Sequence, residues 1–476
     1  MKSIIRGDKM QILAQKPLCF EVENEFIREN RFSVEFYHPH YLVILEKINK
    51  SKYLKSFEDI LTLLTDMGAF SLYNVQHFVP RGVPFIRVNN VKEDAISLTD
   101  LKFISTEYHN ELKKSQLKPG DVLLTTKGTI GVSAVVPKDL GDANISQNLV
   151  RMQFNDKVLP QYVSVFLNST IGRIQTERLA TGVNQKYLNF ENIRSIKIIV
   201  PPKSIQAMVV EVAEDSRKKQ DENLASIEKI IKELDDFFLK ELGLFYPKEI
   251  KVRSFAIKLE ERLDVEYYRP KYVENMRILS SGKFELGSLA SLTEVILRGI
   301  EPGSKEYSKE ETILFLRVQN LEKGRIVVDS NSVFLSQEVY DQHKGLQPRK
   351  LDILFSKDGS IGISSVYEVS PKKCIIASGI AIIRAKENVN PYYLSYILNS
   401  KFVKLQTLRE SYGSIIKHLS MRALQRILIP LPDIQTQERL ARKIKEVDGE
   451  IKRLHAETSD VRQKAKARIE KMILEN

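Results

Sequence analysis

The sequence repeats itself once, and this duplication limits what the chain can fold into more than any other feature. When the sequence is shifted by about 230 residues, VEFYHPHY (Val34 to Tyr41) falls on VEYYRPKY (Val265 to Tyr272), and PFIRVNNV falls on LFLRVQNL. The same shift aligns GDVLLTTKGTIG with LDILFSKDGSIG, and LPQYVSVFLNS with NPYYLSYILNS. Four matches in the same order at one offset indicate two copies of one unit, and a period this long excludes a solenoid of short repeats.

Each copy ends in a long helical pattern with a narrow apolar stripe, which is typical of a coiled-coil seam. In residues 203–242 the seam comprises Val209, Val212, Ser216 and, after a slip of four residues, Leu224, Ile227, Ile231, Leu234 and Phe238. In residues 433–474 it comprises Leu440, Ile444, Val447, Ile451, Leu454, Thr458, Val461, Ala465 and Met472. We expect these helices to pack on each other.

The order of the segments gives that pairing a direction. The first globular segment ends where the first long helix begins, and the second globular segment follows the end of that helix. Paired helices must then run antiparallel, which places the two domains at opposite ends of a pseudo-two-fold rod. A helix of roughly 40 residues would be about 60 Å long, because each residue rises about 1.5 Å.

The fold class predicted for each copy is α+β. We expect strands at Pro84–Asn89, Asp121–Thr126, Val132–Val136 and Leu149–Phe154, a helix over Leu159–Leu179, and Gly-rich tight turns. The predicted segments are an N-terminal extension (1–30), a first domain (31–202), a central helix (203–242), a linker (243–261), a second domain (262–432) and a C-terminal helix (433–476).

Composition restricts the class of protein. The 476 residues carry a net charge of +12, which favours an acidic partner such as nucleic acid. No run of residues is apolar enough to cross a membrane, and no signal peptide is evident, so we expect a cytoplasmic protein. The two cysteines, Cys19 and Cys374, have neither the spacing nor the neighbours of a disulfide framework or a zinc site.

The repeated motifs resemble the specificity subunit of type I restriction-modification enzymes. The resemblance rests on RLDVEYYRP (Arg262 to Pro270), the GDVLLTTKGTIG turn, the polar loop that leads to a Pro-rich strand end, and the long helix after it. It implies two target-recognition domains separated by helices that act as a spacer and as subunit contacts. It also implies no catalysis and no cofactor of the chain's own.

The same resemblance implies partners. These are double-stranded DNA with a bipartite site, two methyltransferase (modification) subunits that carry S-adenosylmethionine, and restriction and translocase subunits recruited through the complex. Each domain would read one half-site through the major groove, where base edges are distinguishable. The bases read, the spacer length and the residues that contact the modification subunits do not follow from the sequence.

Two recurring loops supply the candidate DNA contacts. In the first copy they are Lys127, Thr129, Asn184, Gln185 and Lys186, and in the second they are Lys357, Ser360, Lys417 and His418. An amide can pair with adenine, and a lysine can reach guanine or a phosphate. The competing interpretation is that these are ordinary solvated loop residues.

Motifs of catalysis are missing from the sequence. We find no GxxxxGK[ST] loop and no Asn-Pro-Pro-Tyr or Asp-Pro-Pro-Tyr segment. Asp433 with Glu450 and Lys452 imitates a nuclease metal site, but the two carboxylates lie many helical turns apart and cannot meet on one ion. The alternatives are the specificity part of another restriction-modification system, or a basic coiled-coil scaffold that binds nucleic acid.

Overall fold

A computed structural model of the chain describes residues 34–67, 78–182, 185–246, 255, 264–308, 312–329, 331–368, 373–413 and 417–475. It divides into two compact units, of which unit 1 is Met1–Glu222 with Thr458–Asn476 and unit 2 is Asn223–Glu457. The extension expected at 1–30 and most of the linker expected at 243–261 lie outside the described residues.

Both long helices are present with nearly the expected bounds, and each contributes residues to both units. The helices that begin in unit 1 are α1 (Pro39–Asn49), α2 (Thr106–Glu111), α3 (Pro160–Asn168), α4 (Thr170–Leu179), α5 (Phe190–Arg194) and α6 (Lys203–Leu242). Those that begin in unit 2 are α7 (Pro270–Ser280), α8 (Leu289–Leu292), α9 (Gln337–Gln342), α10 (Pro391–Leu398), α11 (Lys401–Glu410), α12 (Met421–Gln425) and α13 (Ile434–Leu474).

The strands of unit 1 form two four-stranded sheets and two small ones. They are β1 (Leu54–Ser56), β2 (Leu61–Thr65), β3 (Phe78–Val79), β4 (Val83–Ile86), β5 (Val91–Lys92), β6 (Ala95–Ile96), β7 (Lys102–Ile104), β8 (Val122–Thr125), β9 (Ser133–Val135), β10 (Asn144–Ile145), β11 (Leu149–Phe154) and β12 (Lys197–Ile199). The sheet orders are β2-β11-β8-β9, β10-β4-β7-β3, β1-β12 and β5-β6.

The strands of unit 2 reproduce this arrangement. They are β13 (Leu286–Ser288), β14 (Thr293–Arg298), β15 (Tyr307–Ser308), β16 (Ile313–Leu316), β17 (Leu321–Glu322), β18 (Arg325–Ile326), β19 (Val333–Leu335), β20 (Ile353–Ser356), β21 (Ser364–Val366), β22 (Cys374–Ile376), β23 (Ile380–Ala385) and β24 (Leu428–Pro430). The sheet orders β14-β23-β20-β21, β15-β19-β16-β22, β13-β24 and β17-β18 match those of unit 1 strand for strand. The sequence duplication is therefore a duplication of topology, with mixed helix and sheet in each half.

The helix expected over Leu159–Leu179 is broken in two at Ser169. This residue has extended backbone angles (φ −67°, ψ 165°), and its hydroxyl accepts a hydrogen bond from Gly172 N at 3.3 Å, which begins α4. Serine at this position stabilises a new helix start by satisfying a backbone donor that has no partner within the helix. The apolar periodicity continues across the break, so periodicity alone could not locate it.

Each unit has a main apolar core built on the helix that follows its central sheet. In unit 1, Tyr162 of α3 is fully buried and its hydroxyl donates to Ile199 O at 2.7 Å. In unit 2, Tyr393 of α10 is equally buried and donates to Pro430 O at 2.7 Å. The tyrosine shared by the two repeats thus fastens this helix to the strand that leads into the long helix.

On α13 the residues predicted for the seam are buried or half-buried. On α6 the second half of the seam differs from the prediction. Leu440, Val447 and Leu454 are buried and Ile444 and Ile451 half-buried on α13, and Ile227 and Leu234 are buried on α6. The expectation that two further α6 residues pack in the seam does not fit the structure, because Leu224 is 46% exposed and Ile231 is 45% exposed.

The reason is that the seam of α6 continues without the expected slip. Val209, Ser216 and Asn223 are buried at strict seven-residue intervals, and Ile230 packs on the unit 2 core where Ile231 was expected. An uninterrupted helix keeps one face turned inward over a few heptads. Polar residues therefore occupy its buried positions, and the leucine next to Asn223 faces outward.

Candidate nucleic-acid interface

The Gly turn and the polar loop predicted to contact DNA lie side by side in unit 1. The turn connects β8 to β9, and the loop follows α4. Two backbone hydrogen bonds between Thr181 and Tyr187, of 2.9 and 2.7 Å, close the loop. Leu188 N then donates to Thr126 O at 3.0 Å, which fixes the loop beside the turn.

The candidate side chains of unit 1 project from this pair of loops. Lys127 and Thr129 of the turn are exposed, and so are Gln185 and Lys186 of the loop. Asn184 lies outside the described residues. The structure thus brings together, on one surface, polar groups that are more than fifty positions apart in the sequence. Tyr187, which the sequence analysis did not select, is 41% exposed beside them.

Unit 2 joins the equivalent segments in the same way. Leu419 N donates to Lys357 O at 2.9 Å, and Gly359 N donates to Lys417 O at 2.9 Å. Tyr412 and His418 exchange backbone hydrogen bonds of 3.0 and 2.8 Å, as Thr181 and Tyr187 do in unit 1.

The exposure of the candidates in unit 2 is uneven. Ser360 and Lys417 are exposed and His418 is half-buried. Lys357, by contrast, is 5% exposed and its Nζ contacts Asp358 Oδ2 at 2.6 Å. The expectation that Lys357 reaches DNA does not fit this placement. In the repeat register, Lys357 matches Thr126, the buried residue that follows β8, whereas the exposed Lys127 matches Asp358.

Asp358 is the residue that the sequence analysis missed. Its second oxygen, Oδ1, lies 3.0 Å from His418 Nδ1, so the carboxylate connects the turn to the polar loop. Aligning GDVLLTTKGTIG with LDILFSKDGSIG residue by residue places Asp358 on Lys127, and this signal could have identified it.

Backbone geometry and hydroxyl groups shape both turns. Gly131 and Gly362 have φ values of 82° and 90°, which side-chain-bearing residues rarely adopt. A Cβ at Gly131 would also lie 2.3 Å from Thr176 Oγ1. Across each turn, Thr125 Oγ1 accepts from Val132 N at 2.9 Å and Ser356 Oγ accepts from Ile363 N at 2.8 Å. The backbone at the base of each turn is therefore fixed by these glycines and hydrogen bonds, while the residues at its tip face outward.

The carboxylates that imitate a nuclease site have structural roles. Asp433 accepts a hydrogen bond from Thr436 N at 2.9 Å at the start of α13, and this bond holds the pKa of Asp433 below its ordinary value. Arg453 pairs with Glu450 at 2.7 Å and lowers the pKa of that carboxyl.

Burial raises the pKa of the Cys374 thiol to about 12.

The described residues offer neither a metal cluster nor a membrane span. Among those residues no group of three or more His, Cys, Asp or Glu side chains could hold a metal ion. None of the described helices is both long and apolar enough to span a bilayer.

Comparisons with known proteins find relatives among type I restriction enzyme specificity subunits. The putative type I restriction enzyme MjaX specificity subunit of Methanocaldococcus jannaschii is 25% identical over 412 residues, which cover 83% of this chain and 86% of the relative. The type I restriction enzyme EcoKI specificity subunit of Escherichia coli is 28% identical over 162 residues, covering 33% of this chain and 34% of the relative.

A solved structure of a type I restriction-modification system S subunit from M. genitalium also matches, with 12% identity and a TM-score of 0.44. The match covers 88% of this chain and 95% of that one. A family model described as the type I restriction modification DNA specificity domain matches twice, at residues 49–235 and 281–461. These two matches take in most of the chain, which therefore belongs to the type I restriction-modification specificity family, the non-catalytic DNA-recognition subunits of these systems.

Proposed function

We propose that each repeat of this specificity subunit reads one half of a bipartite double-stranded DNA site. The observation that carries the proposal is the recurrence of the same loop pair, with exposed polar side chains, at the same topological position in unit 1 and unit 2. A subunit that read one continuous site would need only one such surface. Two surfaces that differ in side chains fit two half-sites that differ in sequence.

Contacts to DNA come from Lys127, Thr129, Gln185 and Lys186 in unit 1 and from Ser360, Lys417 and His418 in unit 2. The lysines neutralise phosphates or reach guanine acceptors, and Gln185 can pair bidentately with adenine. The net charge of +12 supports this role, because each neutralised phosphate releases counterions and strengthens binding at low salt.

The two long helices act as an antiparallel coiled-coil spacer that sets the length of unread DNA between the half-sites. Within unit 1, Val209 of α6 belongs to the same core as Ile469 and Ile473 of α13. Within unit 2, Leu234 and Leu440 belong to another shared core. Early residues of one helix thus lie with late residues of the other, which supports an antiparallel pairing.

The helices also dock two modification subunits, through which the restriction subunits join the complex. The recognition domains correspond to residues 31–202 and 262–432, and the spacer helices to residues 203–242 and 433–476. This division supports a modular subunit in which reading and assembly occupy different segments. The chain itself contributes DNA recognition and assembly, and its partners contribute methyl transfer and cleavage.

Domain exchange tests the proposal. Residues 31–200 are replaced by the corresponding segment of a relative, and the variant is expressed with the modification subunits in cells that lack the native gene. Mapping of methylated sites should show one half-site changed and the other half-site and the spacer retained. The control is the unaltered chain in the same cells. A change in both half-sites would contradict independent reading by the two repeats.

A further inference from the structure

The two candidate interfaces have the same backbone arrangement. At one matching position, however, one presents a hydrogen-bond donor and the other presents an acceptor. An isolated β-bridge joins Lys127 to Tyr187 in unit 1, and the matching bridge joins Asp358 to His418 in unit 2. A lysine can only donate hydrogen bonds, whereas an ionised aspartate can only accept them. The same point on the two surfaces therefore suits different partner groups.

The surroundings of Asp358 allow a carboxylate to approach DNA. Lys357 Nζ lies 2.6 Å from Oδ2, and the lysine side chain is almost fully buried. This contact neutralises the negative charge that phosphates would otherwise repel. The Asp358 side chain as a whole remains 20% exposed. Each carboxylate oxygen can accept more than one hydrogen bond, which leaves capacity for a base.

The imidazole of His418 lies beside this carboxylate. Its Nδ1 lies 3.0 Å from Asp358 Oδ1, and a carboxylate only accepts, so Nδ1 must carry the hydrogen of this bond. The imidazole side chain is 42% exposed, and the exposed ring of Tyr412 lies next to it with 5.7 Å between ring centroids.

We infer that unit 2 reads the exocyclic amino group of a cytosine or an adenine in the major groove, through the carboxylate of Asp358, which the imidazole of His418 holds in place. In the major groove the amino groups of these two bases are the donors, and aspartate typically accepts from cytosine N4. Lys357 is a positioning residue that acts through Asp358. Unit 1 presents Lys127 at the matching position, which suits guanine acceptors or a phosphate.

This inference rests on the proposed function, and its test keeps the two apart. The full chain is assembled with its modification subunits, the wild-type site is determined, and affinity is measured for every single-base change in each half-site. Asp358→Ala should lose about 10- to 100-fold of discrimination at one position in the half read by unit 2. The other half should be read as before.

A second variant of the same shape distinguishes the two bases and guards against misfolding. An asparagine pairs bidentately with adenine N6 and N7. If the wild-type base is cytosine, Asp358→Asn should therefore shift the preference towards adenine. If it is adenine, Asp358→Asn should keep the preference that Asp358→Ala loses. Lys127→Ala is the matched control and should leave discrimination in the half read by unit 2 unchanged.

Unchanged discrimination at every position in both Asp358 variants, with a wild-type complex that does read a bipartite site, would overturn the inference and leave the proposed function standing. A wild-type complex that reads no bipartite site would instead overturn the proposed function, and the inference with it.

Discussion

At the scale of single residues, many side chains shared by the two repeats complete backbone hydrogen bonds within a unit. Asn168 accepts from Ser133 N at 3.0 Å and donates to Ser133 O at 2.8 Å, in the manner of an added strand. Asn399 does the same for Ser364 in unit 2, at 2.8 Å in each direction. Residues that are identical in the two repeats therefore reflect the packing of the units more than contacts with DNA.

Gln206 is a residue of this kind at the start of α6. Its side chain is fully buried, accepts from Leu159 N at 2.9 Å, and donates to Lys157 O at 3.0 Å and Pro201 O at 2.8 Å. We expect Gln206→Leu to lower the free energy of unfolding by about 1–3 kcal/mol, because an apolar side chain leaves these backbone groups without partners. Urea unfolding followed by circular dichroism measures the change.

The matched control for this substitution is Lys203→Ala, since Lys203 is exposed at the first position of the same helix. It should change the free energy of unfolding by less than about 0.5 kcal/mol. Equal effects of the two substitutions would mean that the buried amide does not stabilise the junction.

At the scale of elements, α6 combines apolar and polar residues on its buried face. Ser216 and Asn223 occupy heptad positions that leucine or isoleucine would fill in a purely apolar seam. Polar seam residues lower stability but can fix the register of a helix pair. Apolar packing then concentrates towards the C-terminal part of the helix, where Leu234, Phe238 and Leu242 join the core of unit 2.

Two leucines of α6 test this distribution. Leu234 is 7% exposed within the unit 2 core, and Leu224 is 46% exposed. Leu234→Ala should reduce the free energy of unfolding by about 2–5 kcal/mol, because it removes buried apolar contacts and leaves a cavity. Leu224→Ala should change it by less than about 0.5 kcal/mol. Chemical denaturation measures both changes. A larger loss of unfolding free energy for Leu224→Ala than for Leu234→Ala would mean that Leu224 does pack in the seam.

At the scale of the whole molecule, the boundaries of the two units pass through the long helices. Unit 1 ends at Glu222 and resumes at Thr458, so each unit takes one part of α6 and one part of α13. A change in helix length at both boundaries would therefore leave the packing inside each unit intact. This property makes the proposed spacer role testable without disturbing either candidate DNA surface.

Inserting one heptad in each helix, after Glu222 and after Glu457, should lengthen the unread spacer by about three base pairs. Seven residues add about 10 Å of helix, and successive base pairs are about 3.4 Å apart. A heptad keeps the seam in phase, and neither half-site sequence should change. Methylated-site mapping in cells that express the variant with its modification subunits measures the spacer.

The matched control carries the heptad in α6 alone, which offsets the partner seams and should impair assembly or methylation. An active double-insertion variant that still modifies sites with the original spacing would show that the helices do not set the distance.

The duplication, the α+β character of each half, the Gly turns and the bounds of the two long helices could all be predicted from the sequence. The helices expected at 203–242 and 433–474 are observed at Lys203–Leu242 and Ile434–Leu474. These features depend on local causes, namely the absence of helix-breaking residues, apolar periodicity and the backbone freedom of glycine. Such causes can be recognised in a short segment of sequence.

Which side chains of those elements face inward became clear from the folded structure alone. It placed Asn223 rather than Leu224 in the seam, and it buried Lys357 against Asp358 while Lys127 of the other repeat stayed exposed. The turn that carries Lys357 and Asp358 is held by a group far away in the sequence, because Asp358 contacts His418 of the polar loop. Burial is a property of the packed chain, and neighbours in sequence do not specify which neighbours in space will cover a residue.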